Sequence, residues 1–198
     1  MIVVDFLRHG ATEQEGVLLG HTDPRLSEVG RATIAEQCRD RSWDAVISSP
    51  LSRAKLSAEI AAAASQPIEI DPDWTEIFFG DWDGKPLADL GREQAFTDFY
   101  AEPETNPPPN GETMASVRAR VTAALEKLAA REDSPLLVVA HGGSIRMALS
   151  VLFAIPLDRL WAIRIACGTL IRVELGVHSD HGLWGQLIEI HQPRERAP

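Results

Sequence analysis

Two apolar runs constrain this chain more than anything else in it. Ile2 to Leu7 and Leu136 to Ala140 are almost wholly aliphatic or aromatic, with Asp5 the one polar interruption. Runs of this kind are the pattern of strands buried on both faces of a parallel sheet. Such a sheet needs helices over both faces, and the intervening sequence offers them. Ser27 stands where an N-cap would start a helix over Glu28 to Arg39. Ser49 and Pro50 read as cap and first turn of a second helix running to about Ala64. Met114, Val117, Val121, Leu125 and Leu128 recur three or four apart, the apolar stripe of a third helix. A fourth helix follows His141 and runs to about Phe153, and further strands are expected at Ala45–Ile47, Ile68–Ile70, Ile163–Ile165, Leu170–Leu175 and Gln186–His191. The expected fold is α/β, with a mostly parallel central sheet and helices on both faces.

At 198 residues the chain fits one domain spanning residues 1–198, and 44% hydrophobic residues with 24% charged ones exclude a disordered chain. The net charge of −10 argues against a nucleic acid or an anionic membrane as partner. Ala148 to Ile155 is too short to cross a bilayer, and Met1 to Leu7 lacks a basic leader, so the expected location is cytoplasmic, as a monomer or homodimer. Cys38 and Cys167 are too few for a disulfide framework or thiolate metal site and read as buried apolar residues. Trp161 and Trp184 likewise read as core or sheet-end aromatics.

Chemistry gathers where the two apolar runs end. One stops at Arg8-His9-Gly10 and the other at His141-Gly142-Gly143. Both ends fall at the carboxyl edge of the sheet, where ligands of α/β proteins bind. A histidine beside an arginine can present its ring to a crevice while the guanidinium offers several donors to an oxyanion. Glycines before a helix allow close backbone approach, with unpaired N–H groups and the positive dipole end behind them. Arg53 lies in the first turn of its helix, a poor place for a cation unless an anion is held there. Glu76, among Ile77, Phe78 and Phe79, suits a general acid, although Asp81 and Asp83 compete for that part and residue chemistry does not choose among them. His178 and His181 flank a Ser-Asp turn and lack the company of a metal cluster, so no metal and no cofactor are expected.

Taken in order, Arg8-His9-Gly10 with Thr12, Ser48-Ser49-Pro50-Leu51 leading to Arg53-Ala54, Glu76 before Gly80, and the strand-ending His141-Gly142 resemble the histidine phosphatase superfamily, also called phosphoglycerate-mutase-like. The resemblance covers Met1 to about Phe153. It implies that His9 is the nucleophile and carries a phosphohistidine, that Arg8, Arg53 and His141 surround the phosphoryl oxygens, and that Glu76 protonates the leaving oxygen. It implies further phosphate or substrate contacts at Thr12, Gly20, His21 and Gly142, and a small phosphorylated metabolite as partner. The Phe79-to-Gly84 run, the prolines before Gly111-Glu112-Thr113, and Gly20-His21-Thr22-Asp23 are most similar to α-ribazole phosphatases, which act in cobalamin biosynthesis. Glu104-Thr105-Asn106 stands where mutases carry an arginine pair, which favours hydrolysis. Two departures are Glu15, where many relatives have an asparagine, and Leu19 in place of a hydroxyl contact.

Other readings remain: a phosphoglycerate mutase-type enzyme, a broad-specificity sugar-phosphate phosphatase, an inactive phospho-ligand binding module, and a metallohydrolase with His9, His141 and Glu76 as ligands. One further expectation concerns charge. The segment from about 71 to 111 reads as an excursion over the site, and from Asp71 to Asn110 it holds ten acids against two bases. A field of that sign is expected to disfavour substrates with a second phosphate or a carboxylate.

Overall fold

Along the first strand, β1 (Ile2–Arg8), Val4 and Phe6 enter one apolar core while Leu7 enters another on the opposite face, the alternation that extended backbone imposes. The computed structural model describes residues 1–62, 66–180 and 182–194. With β2 (Ala45–Ser48), β3 (Ile68–Ile70), β4 (Leu136–Ala140), β5 (Leu170–His178) and β6 (Gly182–His191), β1 forms a six-stranded sheet in the order β3-β2-β4-β1-β5-β6. The pairs β3/β2, β2/β4 and β4/β1 are parallel, whereas β5 and β6 run antiparallel beside β1.

Helices α1 (Glu28–Cys38) and α2 (Ser52–Ala61) cover one face, where Ile34, Ala54 and Ala58 meet Leu7, Val46 and Val139. Helices α5 (Met114–Ala129) and α6 (Gly142–Phe153) cover the other. The expected stripe on α5 is wholly buried: Met114, Val117, Val121, Leu125 and Leu128 all pack into that core, each burial contributing about 1.5–3 kcal/mol. Three short helices, α3 (Leu87–Leu90), α4 (Gln94–Ala101) and α7 (Leu157–Leu160), and single 3-10 turns at Pro72–Trp74 and Gly80–Trp82 complete the order.

Several expected elements shift. Ser27 caps α1 as expected, its hydroxyl accepting from Gly30 N at 3.0 Å. The second helix, by contrast, begins at Ser52 behind Leu51 rather than at Pro50, and its expected end at Ala64 lies outside the described residues. Ile163–Ile165 forms no strand, because its carbonyls are taken by side chains: Ile163 accepts from Arg146, Arg164 from Gln192 and Ile165 from Arg8. Cys38 is buried, which pushes its thiol up to about 12, but Cys167 is only half-buried. Asp5 sits at 0% exposure in β1 because its carboxylate accepts two bonds from Arg172 at 2.8 Å and one from Trp43 Nε1 at 2.7 Å.

Candidate active site

The register of the central pair places the site. Arg8 pairs with Ala140 across the parallel β1/β4 ladder, so the next residue on each strand, His9 and His141, emerges at the same edge. Their ring centroids lie 5.1 Å apart. His9 is held by its own backbone: its N–H donates to Ala140 O and its ring Nδ1 donates to Gly10 O at 2.7 Å. A carbonyl only accepts, so the proton is on Nδ1 and the lone pair is on Nε2. That lone pair faces Arg53 Nε at 3.3 Å. Burial, followed by the charges of Arg8 and Arg53, holds the His9 pKa well below the ordinary 6.5, so the ring is a neutral imidazole.

Gly10 makes this loop possible. A Cβ there would stand 2.6 Å from Gly30 O, so only glycine lets the loop close against the start of α1. Gly10 N also donates to Ser57 Oγ on α2. His141 is completely buried, with Nε2 2.8 Å from Ser49 Oγ and Nδ1 without a hydrogen-bond partner. Burial and then the neighbouring His9, Arg53 and Arg8 keep it neutral too.

Arg53 is fully buried and heavily engaged: Nη1 donates to Thr22 O and Asp23, and Nη2 to Gly20 O. The anion expected at this helix end is Asp23, whose carboxylate also accepts from Ser52 N and Arg53 N. Arg8 donates through Nη1 to Ile165 O at 2.6 Å, and its buried Nε has no partner.

Among the three competing carboxylates, only Glu76 reaches the cavity. Its oxygens accept from Ile77 N, Gly143 N and Ser144 N at 2.9–3.2 Å, which pins it against the first turn of α6. Asp81 accepts from Asn110 at the surface, and Asp83 accepts from the backbone of Gly20, His21 and Thr22. A cavity of about 480 Å³ lies over these groups, walled by Arg8, His9, Thr12, Glu76, Gly142 and Gly143 among others. Thr12 faces it while donating to Gln14 O. Glu15 and Leu19 also line it, Glu15 as an exposed side chain.

Gly20 and His21 stand elsewhere. Neither lines the cavity; Gly20 serves Arg53 and Asp83 through its backbone, and the exposed His21 ring rests on Phe78 at 5.0 Å. Several remaining acids of the 71–111 segment have other partners: Asp71 and Asp73 pair with Lys127, Glu104 with Arg118 and Asp89 with Arg92. Neither Asp81 nor Asp83, the two acids next to the Gly80 turn, lines the cavity.

Four contributors escaped the sequence reading. Tyr100, Arg146 and Trp161 line the cavity, although Trp161 reads from sequence as a core aromatic. Arg120 on α5 grips Glu112 with two bonds and donates to Asp73 O and Thr75 O, fixing the approach to Glu76. A single arginine in a helix carries no such signal. His178 ends β5, while its suggested partner His181 lies outside the described residues. Among the described residues no three His, Cys, Asp or Glu side chains are grouped to hold a metal ion, and no helix is long and apolar enough to cross a membrane.

Residues 4–182 match the model of the histidine phosphatase superfamily, branch 1. An adenosylcobalamin/alpha-ribazole phosphatase from Salmonella typhimurium is 30% identical over 178 residues, covering 85% of this chain and 88% of that protein. A glucosyl-3-phosphoglycerate phosphatase from Mycolicibacterium vanbaalenii is also 30% identical, over 192 residues, covering 87% of this chain and 83% of its own length. The solved structure of an alpha-ribazole phosphatase from Shigella flexneri superposes with a TM-score of 0.80 at 24% identity, over 94% of this chain and 95% of that one.

Proposed function

Given that the chain belongs to the histidine phosphatase superfamily, branch 1, and is a phosphoric monoester hydrolase, we propose that His9 carries the phosphoryl group between substrate and water. One observation supports this role above the others. His9 is a buried neutral ring whose Nδ1 proton is fixed on Gly10 O, which leaves the lone pair on Nε2, where it accepts from Arg53 Nε at 3.3 Å until attack on phosphorus replaces that bond.

In the first step Nε2 forms a bond to phosphorus as the ester P–O bond breaks. The ring gains positive character, and the Gly10 carbonyl facing Nδ1–H stabilises it. Glu76 supplies the proton to the departing alcohol oxygen. In the second step a water gives its proton to Glu76 and its oxygen to phosphorus, and the N–P bond electrons return to Nε2. Arg8 on the cavity wall, and Arg53 and His141 beside the His9 ring, would supply the cation and donor surroundings that this chemistry depends on. Gly142 and Thr12 contribute the wall of the same site. The whole chain works as one domain, in the cytoplasm, on a small phosphorylated metabolite.

The test is chemical. Quenching during turnover is expected to trap acid-labile phosphate on His9, and His9→Ala to lower kcat by on the order of 10³-fold or more. Full activity in that variant overturns the assignment. α-Ribazole 5'-phosphate is the first substrate to test, because the Salmonella relative is named for it. The mycobacterial relative is equally identical and is named for another substrate. Side-by-side turnover with 3-phosphoglycerate and sugar phosphates therefore decides, and a preference below tenfold for the ribazole compound withdraws the cobalamin role.

A further inference from the structure

Glu76 sits on a stretch of chain that no helix or strand holds. Residues 75–79 belong to no regular element, yet Glu76 is buried and its carboxylate is fixed. The two carboxylate oxygens are not equivalent. Oε1 accepts from Ile77 N, Gly143 N and Ser144 N at 2.9–3.2 Å, whereas the one donor to Oε2 among the described residues is Gly143 N at 3.0 Å. Three donors keep Oε1 an acceptor, which leaves Oε2 as the oxygen to hold the proton.

What aims this carboxylate is the backbone behind it, and two side chains grip that backbone. Arg120 Nη1 donates to Asp73 O at 2.8 Å and to Thr75 O at 2.7 Å, and Nη2 reaches Glu76 O at 3.5 Å. Its other donors go to Glu112, Nε to Oε1 at 2.8 Å and Nη2 to Oε2 at 2.9 Å. All five N–H groups of the guanidinium are thereby used. Glu112 in turn takes both backbone groups of Phe78: its Oε2 accepts from Phe78 N at 3.4 Å, and its N–H donates to Phe78 O at 2.8 Å. The chain is therefore held on either side of Glu76. The side chains of Arg120 and Glu112 are 17% and 16% exposed. An ion pair so far out of water loses much of its attraction to desolvation and adds little stability, whereas a planar fork with every donor engaged is well suited to fixing a position.

We propose that Arg120 and Glu112 are positioning residues for proton transfer, holding residues 73–78 so that Glu76 Oε2 meets the oxygen of the departing alcohol. The inference rests on the phosphatase reading of the site and on Glu76 as its acid. A catalytic group about 1 Å out of place can cost about 100-fold in rate, so a clamp one residue away from the acid acts on chemistry. Neither Arg120 nor Glu112 lines the cavity. Their loss therefore spares phosphate binding and attack by His9 and falls on the proton.

Phenyl phosphate and 4-nitrophenyl phosphate test it, being alike in shape and unlike in their need for a proton, since the nitro group stabilises the departing phenolate. The quantity to compare is kcat/KM, which covers binding through P–O cleavage and no later step. In Glu112→Gln and Arg120→Gln it is expected to fall about ten-fold or more on phenyl phosphate and less than about three-fold on the nitrophenyl ester. Arg120→Lys is expected to recover part of the loss on phenyl phosphate. Glu76→Gln is the reference and is expected to show the same asymmetry, larger. Equal losses on both esters in the Arg120 and Glu112 variants would mean that the pair serves the fold alone, and the proposal falls. Unchanged values on phenyl phosphate overturn it as well. If Glu76→Gln itself loses equally on both esters, its part as acid has failed and the clamp with it; a wild-type protein that cleaves neither ester fails earlier, at the phosphatase reading. Should Arg120→Gln not fold, Glu112→Gln and Arg120→Lys decide, since an unchanged ratio of the two esters in both refutes the clamp.

Discussion

His9 and His141 are two neutral imidazoles packed side by side, whereas His21, His178 and His191 are exposed. Both have folded pKa values well below 6.5, so the unfolded chain binds more protons than the folded one as pH falls beneath that value. Stability is therefore full near pH 7 and above and declines as the pH falls below about 6.5, with each ring contributing up to about 1.4 kcal/mol per pH unit. Urea titrations across this range are expected to show the slope reduced in His9→Gln and again in His141→Gln; a slope that neither substitution changes refutes the neutral pair. At this scale the sequence was informative about identity and poor at direction. Arg8, His9, Arg53, Glu76 and His141 were all visible as residues, and the structure brings them together. Which carboxylate faces the cavity was not visible, because Glu76, Asp81 and Asp83 differ in partner rather than in chemistry.

The elements around the site are fixed by contacts that only glycine or a short acid permits. Helix α6 approaches so closely that a Cβ on Gly143 would lie 2.3 Å from Glu76 Oε1 and 2.5 Å from Ile77 Cδ1. Gly143→Ala is expected to displace the Glu76 carboxylate and to lower kcat by ten-fold or more while leaving the thermal midpoint within a few degrees; wild-type kcat would show that the carboxylate tolerates the shift. Asp83 has a comparable part through the loop at 20–22, which in turn gives two carbonyls to Arg53. Asp83→Ala is expected to lower kcat/KM about ten-fold, with Asp83→Asn recovering part of it, as steady-state kinetics would show. Helix and strand positions were legible because burial on two faces and the spacing on α5 leave a pattern in one dimension. The failure at Ile163–Ile165 has the opposite cause. Its apolar residues do resemble a strand, but its carbonyls answer to Arg8, Arg146 and Gln192 from distant parts of the chain.

For the molecule as a whole, much of the acidity of residues 71–111 is engaged locally. Asp71 and Asp73 pair with Lys127 and Glu104 with Arg118, both on α5, while Asp81 and Asp89 bond within the segment to Asn110 and Arg92. Composition exposed the charge and could not say where it pointed. The centre of the sheet carries the opposite arrangement, a lone acid buried on β1. Asp5→Ala leaves the buried Trp43 Nε1 unpaired, at a cost of about 1–3 kcal/mol, and takes away the charge partner of Arg172, whose side chain is 29% exposed and turns to solvent. Chemical denaturation is expected to show a loss of about that size, and a loss below about 1 kcal/mol would mean that the pair is held for some other reason.

Arg53 has its bonding partners at His9, Gly20, Thr22 and Asp23, and the loop bearing three of them is itself held by Asp83. The nucleophile's surroundings thus close over sequence separations far longer than a helix or a hairpin. Contacts of that span form late, since chain entropy must be overcome before any of them rewards the ordering. On dilution from denaturant, helical signal is expected to return first and catalytic turnover after it. The lag between the two measures how long the protein exists as a sheet with helices before it exists as an enzyme.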